Sequence, residues 1–225
     1  MANPDFSSIL WEADGLEIER ESFRRIDAEA TPVQRARFSA DEWHVARRLV
    51  HTTADFAILD TLEFSGQPIT AALDALRRGA TIYCDSNMIK SGLSVPKLQK
   101  FHAGYTRESI LCPIMEPAVA AYAKEHHITR ALAGVTLYRE RLEGAIFLSG
   151  NAPLALAGLV RICVETGLRP ALIVGMPVGF VNVVESKKLL SLVQDIPWIR
   201  LNGRRGGSPL AVATLHGIME LAIQS

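Results

Sequence analysis

Cysteine is scarce in this sequence: Cys84, Cys112 and Cys163 stand far apart, an odd number with no C-x-x-C pair. That argues against a disulfide framework and against a zinc site, and the three read as buried reduced thiols. An excess of charge of one sign is also missing, with 24 Lys and Arg against 24 Asp and Glu. A nucleic-acid binder working through a broad basic surface is therefore not expected. Long apolar runs are lacking too. The stretches Ala152–Val160 and Ala171–Val174 are interrupted by Gly, Pro or Arg well before the roughly 20 residues needed to span a bilayer, so no membrane partner is expected. Met1–Phe6 has no basic segment leading into an apolar one; no secretory leader is read there, and a cytoplasmic location follows. Gly/Ser-rich and Pro-rich linkers are missing, and no internal repeat is evident. The expectation is a single domain over residues 1–225.

What is present is 48% hydrophobic and 21% charged residues over a chain of 225, enough apolar surface for a substantial core. Leu16, Ile18, Phe23 and Ile26, set among charged residues, predict a helix from about Leu16 to Ala30. Ser39 precedes Glu42 at the capping-box spacing and opens a helix with Trp43, Ala46, Leu49, Val50 and Thr53 on one face. A third helix is expected over Pro68–Arg78, stopped by Gly79. From Ala80 the pattern changes to short apolar runs that end in polar or glycine-containing turns. Thr81–Cys84, Ala145–Leu148, Ala171–Val174 and Trp198–Leu201 read as strands, with a fifth, short one around Ser109–Cys112. Further helices are expected at about Pro117–Lys124, Thr129–Leu142, Ala152–Thr166, Val181–Leu192 and Pro209–Ala222. The fold class is thus α/β: a mainly parallel sheet flanked by helices, preceded by a helical N-terminal region.

In an open parallel sheet the ligand crevice lies beyond the carboxyl ends of the strands, so the turns after the four clear strands should meet at one rim. Helix N-termini offer unpaired N–H groups there, and glycine lets a ligand approach the backbone. The turns at Gly150, Gly175–Gly179 and Gly203–Ser208 could each receive a different negative group, with Arg204 and Arg205 adding charge to the last. A polyanionic small molecule fits such a rim; the plainer alternative is that these glycines only let the chain reverse. No G-x-x-x-x-G-K-[ST] and no G-x-G-x-x-G at the first strand-to-helix turn is present, so ATP and NAD are not indicated. Pro177, with no N–H, makes its loop a rigid wall rather than a phosphate cradle.

His44, Arg47, Arg48 and His51 fall at i, i+3, i+4 and i+7 of the Ser39 helix and form one basic stripe. For the first three the plain reading is a solvated face opposite the apolar one. His51 differs, because near the helix end it can be half-buried and point into a pocket. An imidazole, with an ordinary pKa of roughly 6.5, can donate and regain a proton near neutral pH. His126–His127 lacks a third ligand at metal spacing, and His102 and His216 are isolated, so no metal site is supported. Ser22, Ser149 and Ser208 are conceivable nucleophiles, but none sits in a G-x-S-x-G elbow, which disfavours a hydrolase.

Several of these segments together resemble the precorrin-8X (cobalt-precorrin-8) methylmutase family of cobalamin biosynthesis, over almost the whole chain. The most specific pieces are Gly150–Leu156, Gly175–Val181 with Glu185–Lys187, and Gly203–Ser208; weaker ones are Ile18–Phe23, Val50–His51, Cys84–Asp85 with Met88 and Gly92, and Thr129–Arg130. The resemblance implies an isomerase that shifts a methyl group from C-11 to C-12 of the corrin precursor, without a cofactor and as a homodimer. It implies His51 as the general acid. Substrate contacts are implied at Ser22, Arg47, Met88, Gly92, Leu93, Arg130, Gly150, Asn151, Gly175, Pro177, Gly179, Arg204, Gly206, Gly207 and Ser208. The doubly basic Arg204–Arg205 and Asn182 depart from the family pattern. Two rivals stand beside this reading: a non-catalytic corrinoid carrier, and an isomerase or transferase acting on another polycarboxylate. Transient hand-over to neighbouring pathway enzymes would suit any of the corrinoid readings.

Overall fold

A computed structural model describes Ser7, Ile9, Trp11 and residues 14–224, with the side chain of Gln224 left aside; Met1–Phe6, read above for a leader, lies outside the described residues. Six strands form one sheet: β1 (Leu62–Ser65), β2 (Ile82–Cys84), β3 (Ile110–Leu111), β4 (Ile146–Ser149), β5 (Leu172–Gly175) and β6 (Trp198–Leu201), in the order β1-β6-β5-β4-β2-β3. All neighbours run parallel except β1, which pairs antiparallel with β6, Leu62 opposite Leu201. The four strands expected from the sequence lie in the sheet, and the short fifth forms one edge as β3. The other edge, β1, is an addition. Its Leu62-Glu63-Phe64-Ser65 is too short to separate from a loop by pattern, and only its inward Leu62 is fully buried.

The strands alternate between two cores. Ile82, Cys84, Ile146, Leu148, Leu172, Val174, Ile199 and Leu201 face one layer; Tyr83, Phe147, Ile173 and Trp198 face the other, where Tyr83 and Phe147 stack with centroids 5.0 Å apart. The first layer is built by α3 (Ala40–Thr53), α4 (Pro68–Arg77), α5 (Asn87–Gly92), α6 (Val95–Gln99) and α11 (Ser208–Gln224), with α1 (Gly15–Glu29) laid across α3 and the single turn α2 (Pro32–Arg35) between them. The second holds α9 (Pro153–Thr166), with α7 (Pro117–Glu125), α8 (Arg130–Leu137) and α10 (Val183–Lys188) around it. This is the expected α/β domain with a covered, mainly parallel sheet.

Local signals explain the helix ends. The Ser39/Glu42 capping box is formed in both directions, and Ala54 closes α3 in the left-handed region at φ 51°. The reading Thr129–Leu142 is too long: α8 stops at Leu137 and a separate 3₁₀ turn covers Arg139–Arg141. Val181–Leu192 likewise divides, because Asn182 enters at φ 62° and α10 tightens to a 3₁₀ turn at Leu189. Cys84 and Cys163 are buried free thiols as expected, whereas Cys112 is half-buried. Among the described residues no helix is long and apolar enough to cross a membrane.

Candidate active site at the carboxyl rim

The turns after β2, β4, β5 and β6 meet, as the parallel topology requires. Ser86 Oγ and Ser208 Oγ share a hydrogen bond of 2.8 Å, the Met176 N–H donates to Ser149 O at 2.8 Å, and the Gly207 N–H donates to Met176 O at 2.8 Å. Glycine is required by closeness at two points: a Cβ on Gly150 would stand 2.6 Å from Ser208 Cα, and one on Gly206 would stand 2.2 Å from Met176 O. Lys187 is buried beneath the last loop and donates to Gly203 O at 2.9 Å and Arg205 O at 2.6 Å. Burial lowers its pKa to about 8.

Sequence reasoning expected the N–H groups of the Gly150 turn to await a ligand anion. They are already taken. Asp85, at the end of β2, is buried, and its Oδ2 accepts from Ser149 Oγ at 2.9 Å and from the N–H groups of Gly150, Asn151 and Ala152 at 3.0, 2.9 and 2.7 Å. Its carboxylate thus serves the N-terminus of α9, which has no side-chain cap of its own at Ala152. Burial pushes the Asp85 carboxyl up, and these hydrogen bonds hold it back. Similarly, the Gly179 N–H donates to Arg204 O at 3.2 Å, so the loops that follow β5 and β6 satisfy each other.

A cavity of about 530 Å³ opens on the α3 side. It is lined by Glu19 of α1, Arg48, His51 and Thr52 of α3, Met88 and Gly92 of α5, and Pro209, Val212, Ala213 and His216 of α11. His51 is half-buried, its ring centroid 5.1 Å from that of Phe23, and neither ring nitrogen has a hydrogen-bond partner among the described residues. His216, which looked isolated, shares the same cavity. Its Nε2 accepts the Ser94 N–H at 3.1 Å, and burial, helped by the charges of Lys97 and Arg48, lowers its pKa to about 4.

The basic stripe is not a solvated face. Arg48 pairs with Glu19 and, at 2.6 Å, with the buried Glu220, which also takes Lys97. Arg47 donates to Asp27 Oδ2 at 2.6 Å and lies 4.5 Å over the Phe23 ring. His44 is half-buried, and desolvation lowers its pKa. The helix α1 supplies acceptors for two arginines of α3, an arrangement no local pattern shows.

A second cavity, of about 490 Å³, lies across the rim and is lined by Asp85, Ile114, Met115, Thr129, Arg130, Ala131, Asn151–Leu154, Val181 and Asn182. Arg130, exposed at the start of α8, makes no ion pair among the described residues. The structure therefore gathers Met88 and Gly92 with His51, and Asn151 with Arg130. Gly150, Gly175, Pro177, Gly179, Gly206, Gly207 and Ser208 form the rim between. Ser22, Arg47, Leu93 and Arg204 line neither cavity: Ser22 is half-buried beside Phe23, Leu93 is buried at the end of α5, and Arg204 lies 5.3 Å over the exposed Phe180 ring. Asp85 and Glu19 fell within the resemblance segments Cys84–Asp85 and Ile18–Phe23 but were given no role, His216 was read as isolated, and Glu220 was not singled out; Asp85 alone had a local signal, an acid directly after a buried strand.

Covered parallel sheet, convergent rim and a cavity imidazole free at both nitrogens define the class: an α/β enzyme with its candidate site at the strands' carboxyl ends. The profile of the precorrin-8X methylmutase family matches residues 17–221. A cobalt-precorrin-8 methylmutase of Leptospira interrogans is 39% identical over 92% of this chain and 94% of its own, and a precorrin-8X methylmutase of Pseudomonas aeruginosa is 36% identical over 91% and 95%. The crystal structure of precorrin-8X methylmutase from Thermus thermophilus superposes with a TM-score of 0.83 at 44% identity, covering 93% of this chain and 97% of that one. The chain belongs to the precorrin-8X methylmutase family, isomerases of cobalamin biosynthesis.

Proposed function

We propose that the chain catalyses the intramolecular 1,5-shift of a methyl group from C-11 to C-12 of precorrin-8X, or of its cobalt-containing counterpart, to give hydrogenobyrinic or cobyrinic acid. His51 is the general acid. The observation that carries this reading is the half-buried imidazole with both nitrogens unpartnered in a cavity lined also by Met88 and Gly92. His51 donates its proton to the ring C nitrogen, which draws electron density from the migrating centre; because the reaction is an isomerisation, the proton returns once the methyl has moved. Proton donation of this kind is typically worth about 10²–10⁴-fold, with orientation of the bound ring adding more.

The rest of the rim suits a macrocycle with apolar faces and a carboxylate periphery. Met88, Met115 and Val181 are largely exposed apolar side chains that line the two cavities. Arg130, unpaired at the N-terminus of α8, supplies a cation for one peripheral carboxylate. No cofactor takes part, and any cobalt belongs to the substrate. The same reading carries a homodimer, which size-exclusion chromatography with light scattering tests. The direct experiment follows the visible spectrum of metal-free precorrin-8X under anaerobic conditions after addition of protein. Conversion to the hydrogenobyrinic acid spectrum is expected. Pigment that co-elutes unchanged, with the cobalt-containing substrate also unconverted, would favour the carrier reading instead.

A further inference from the structure

The His51 cavity has a second imidazole whose protonation is fixed by its neighbours. His216 stands on α11 and lines the cavity together with His51, Met88 and Val212. Its Nε2 accepts the backbone N–H of Ser94 at 3.1 Å, where the chain leaves α5 for α6. A nitrogen that accepts an N–H cannot carry a proton itself, so the neutral ring bears its one hydrogen on Nδ1. Burial, with Lys97 and Arg48 nearby, lowers the pKa to about 4, and the ring is neutral at pH 7. Nδ1 has no partner among the described residues, nor is it a buried orphan like Tyr83 Oη. Besides His51, the basic side chain at this wall is Arg48, and it is paired with Glu19 and Glu220. His216, which lines the cavity, is therefore an uncharged donor whose tautomer is fixed by the Ser94 N–H.

We propose that His216 contacts the substrate, its Nδ1–H donating to a peripheral carboxylate of the macrocycle and so fixing the ring's rotation relative to His51. The inference rests on the corrinoid reading of this cavity. A neutral donor suits the task, since it holds an oxygen without competing with His51 as a proton source. Loss of such a bond to a charged acceptor costs about tenfold or more in affinity.

The test uses the coloured product, hydrogenobyrinic acid, titrated into the protein and followed by absorbance, alongside ¹⁵N NMR of the histidine rings. In the wild-type protein His216 should show a pyrrole-type Nδ1 and a pyridine-type Nε2 at pH 7, and the Nδ1 signal should move when pigment binds. His216→Phe, which keeps the packing volume and removes the donor, should weaken pigment binding about tenfold; His216→Asn, which retains an N–H donor, should recover part of it. Circular dichroism checks that each variant folds. The opposite tautomer, or equal pigment affinity in the wild type and a folded His216→Phe, would overturn the proposal while leaving the proposed function intact. Should neither variant fold, an Nδ1 signal unmoved by bound pigment overturns it. Failure of the wild type to bind pigment at all would remove the corrinoid reading and this inference with it.

Discussion

The two sides of the rim treat their hydrogen-bonding groups in opposite ways. At the Ser149–Ala152 turn, four donors converge on Asp85 Oδ2 and none of them is left for a ligand. At the α3–α11 cavity ion pairs form part of the wall, but both nitrogens of His51 and Nδ1 of His216 have no partner among the described residues. A helix N-terminus at the end of a parallel strand is therefore a site for an anion only where the chain has not supplied the anion itself. At the Ser149–Ala152 turn the backbone donors are closed on the protein itself, whereas the unpartnered imidazole nitrogens stand on the flanking helices α3 and α11.

Removing the internal anion should break the comparison most strongly. Asp85→Ala strips four donors of their acceptor at a buried helix end, and we expect a loss of about 4 kcal/mol in a guanidinium unfolding curve. A loss under about 1 kcal/mol would mean water replaces the carboxylate and the turn is not closed. His216 sharpens the other side through pH. Its folded pKa of about 4 lies below the ordinary 6.5, so its neutral form stabilises the fold above pH 6.5 and that contribution is lost as pH falls toward 4. The full difference is about 3 kcal/mol. Urea midpoints measured from pH 7 to 4 should fall less steeply in His216→Gln; an unchanged slope would contradict the buried, neutral ring.

Gly206→Ala should cost roughly 2 kcal/mol, because its Cβ would meet the carbonyl oxygen of Met176 at 2.2 Å and push two closed loops apart. Thermal unfolding reads this directly. The smallest effect belongs to Arg205→Ala. Its bond to Asp55 at 2.5 Å joins an exposed and a partly exposed side chain, and such surface pairs contribute about 0.5 kcal/mol or less. If that substitution equalled Asp85→Ala in effect, the distinction between closed scaffold and exposed edge would fail.

How much of this was legible in the sequence follows the range of the interactions. The Ser39–Glu42 box, the four apolar strand runs and the meeting of their turns rest on local pattern and on parallel topology, and they stand in the structure. The edge strand β1 was not legible, since four alternating residues carry too little signal and its partner β6 lies more than a hundred residues away. The same applies to the site. The place of His51 near the end of a capped helix was legible as a half-buried position, with its role implied only by the family resemblance, but the acceptors of Arg48 come from Glu19 and from Glu220, which is 172 positions along the chain. Asp85 reaches donors 64 to 67 residues later. A stripe of arginines looks solvated until the helices that neutralise it are folded against it.

The central claim, that the open side of the rim is the reacting side, turns on one substitution. In His51→Ala, conversion of precorrin-8X followed by visible absorbance under anaerobic conditions should fall by at least about 100-fold, while hydrogenobyrinic acid still binds with nearly wild-type affinity. Turnover close to that of the wild type would contradict the assignment of His51 as the proton donor.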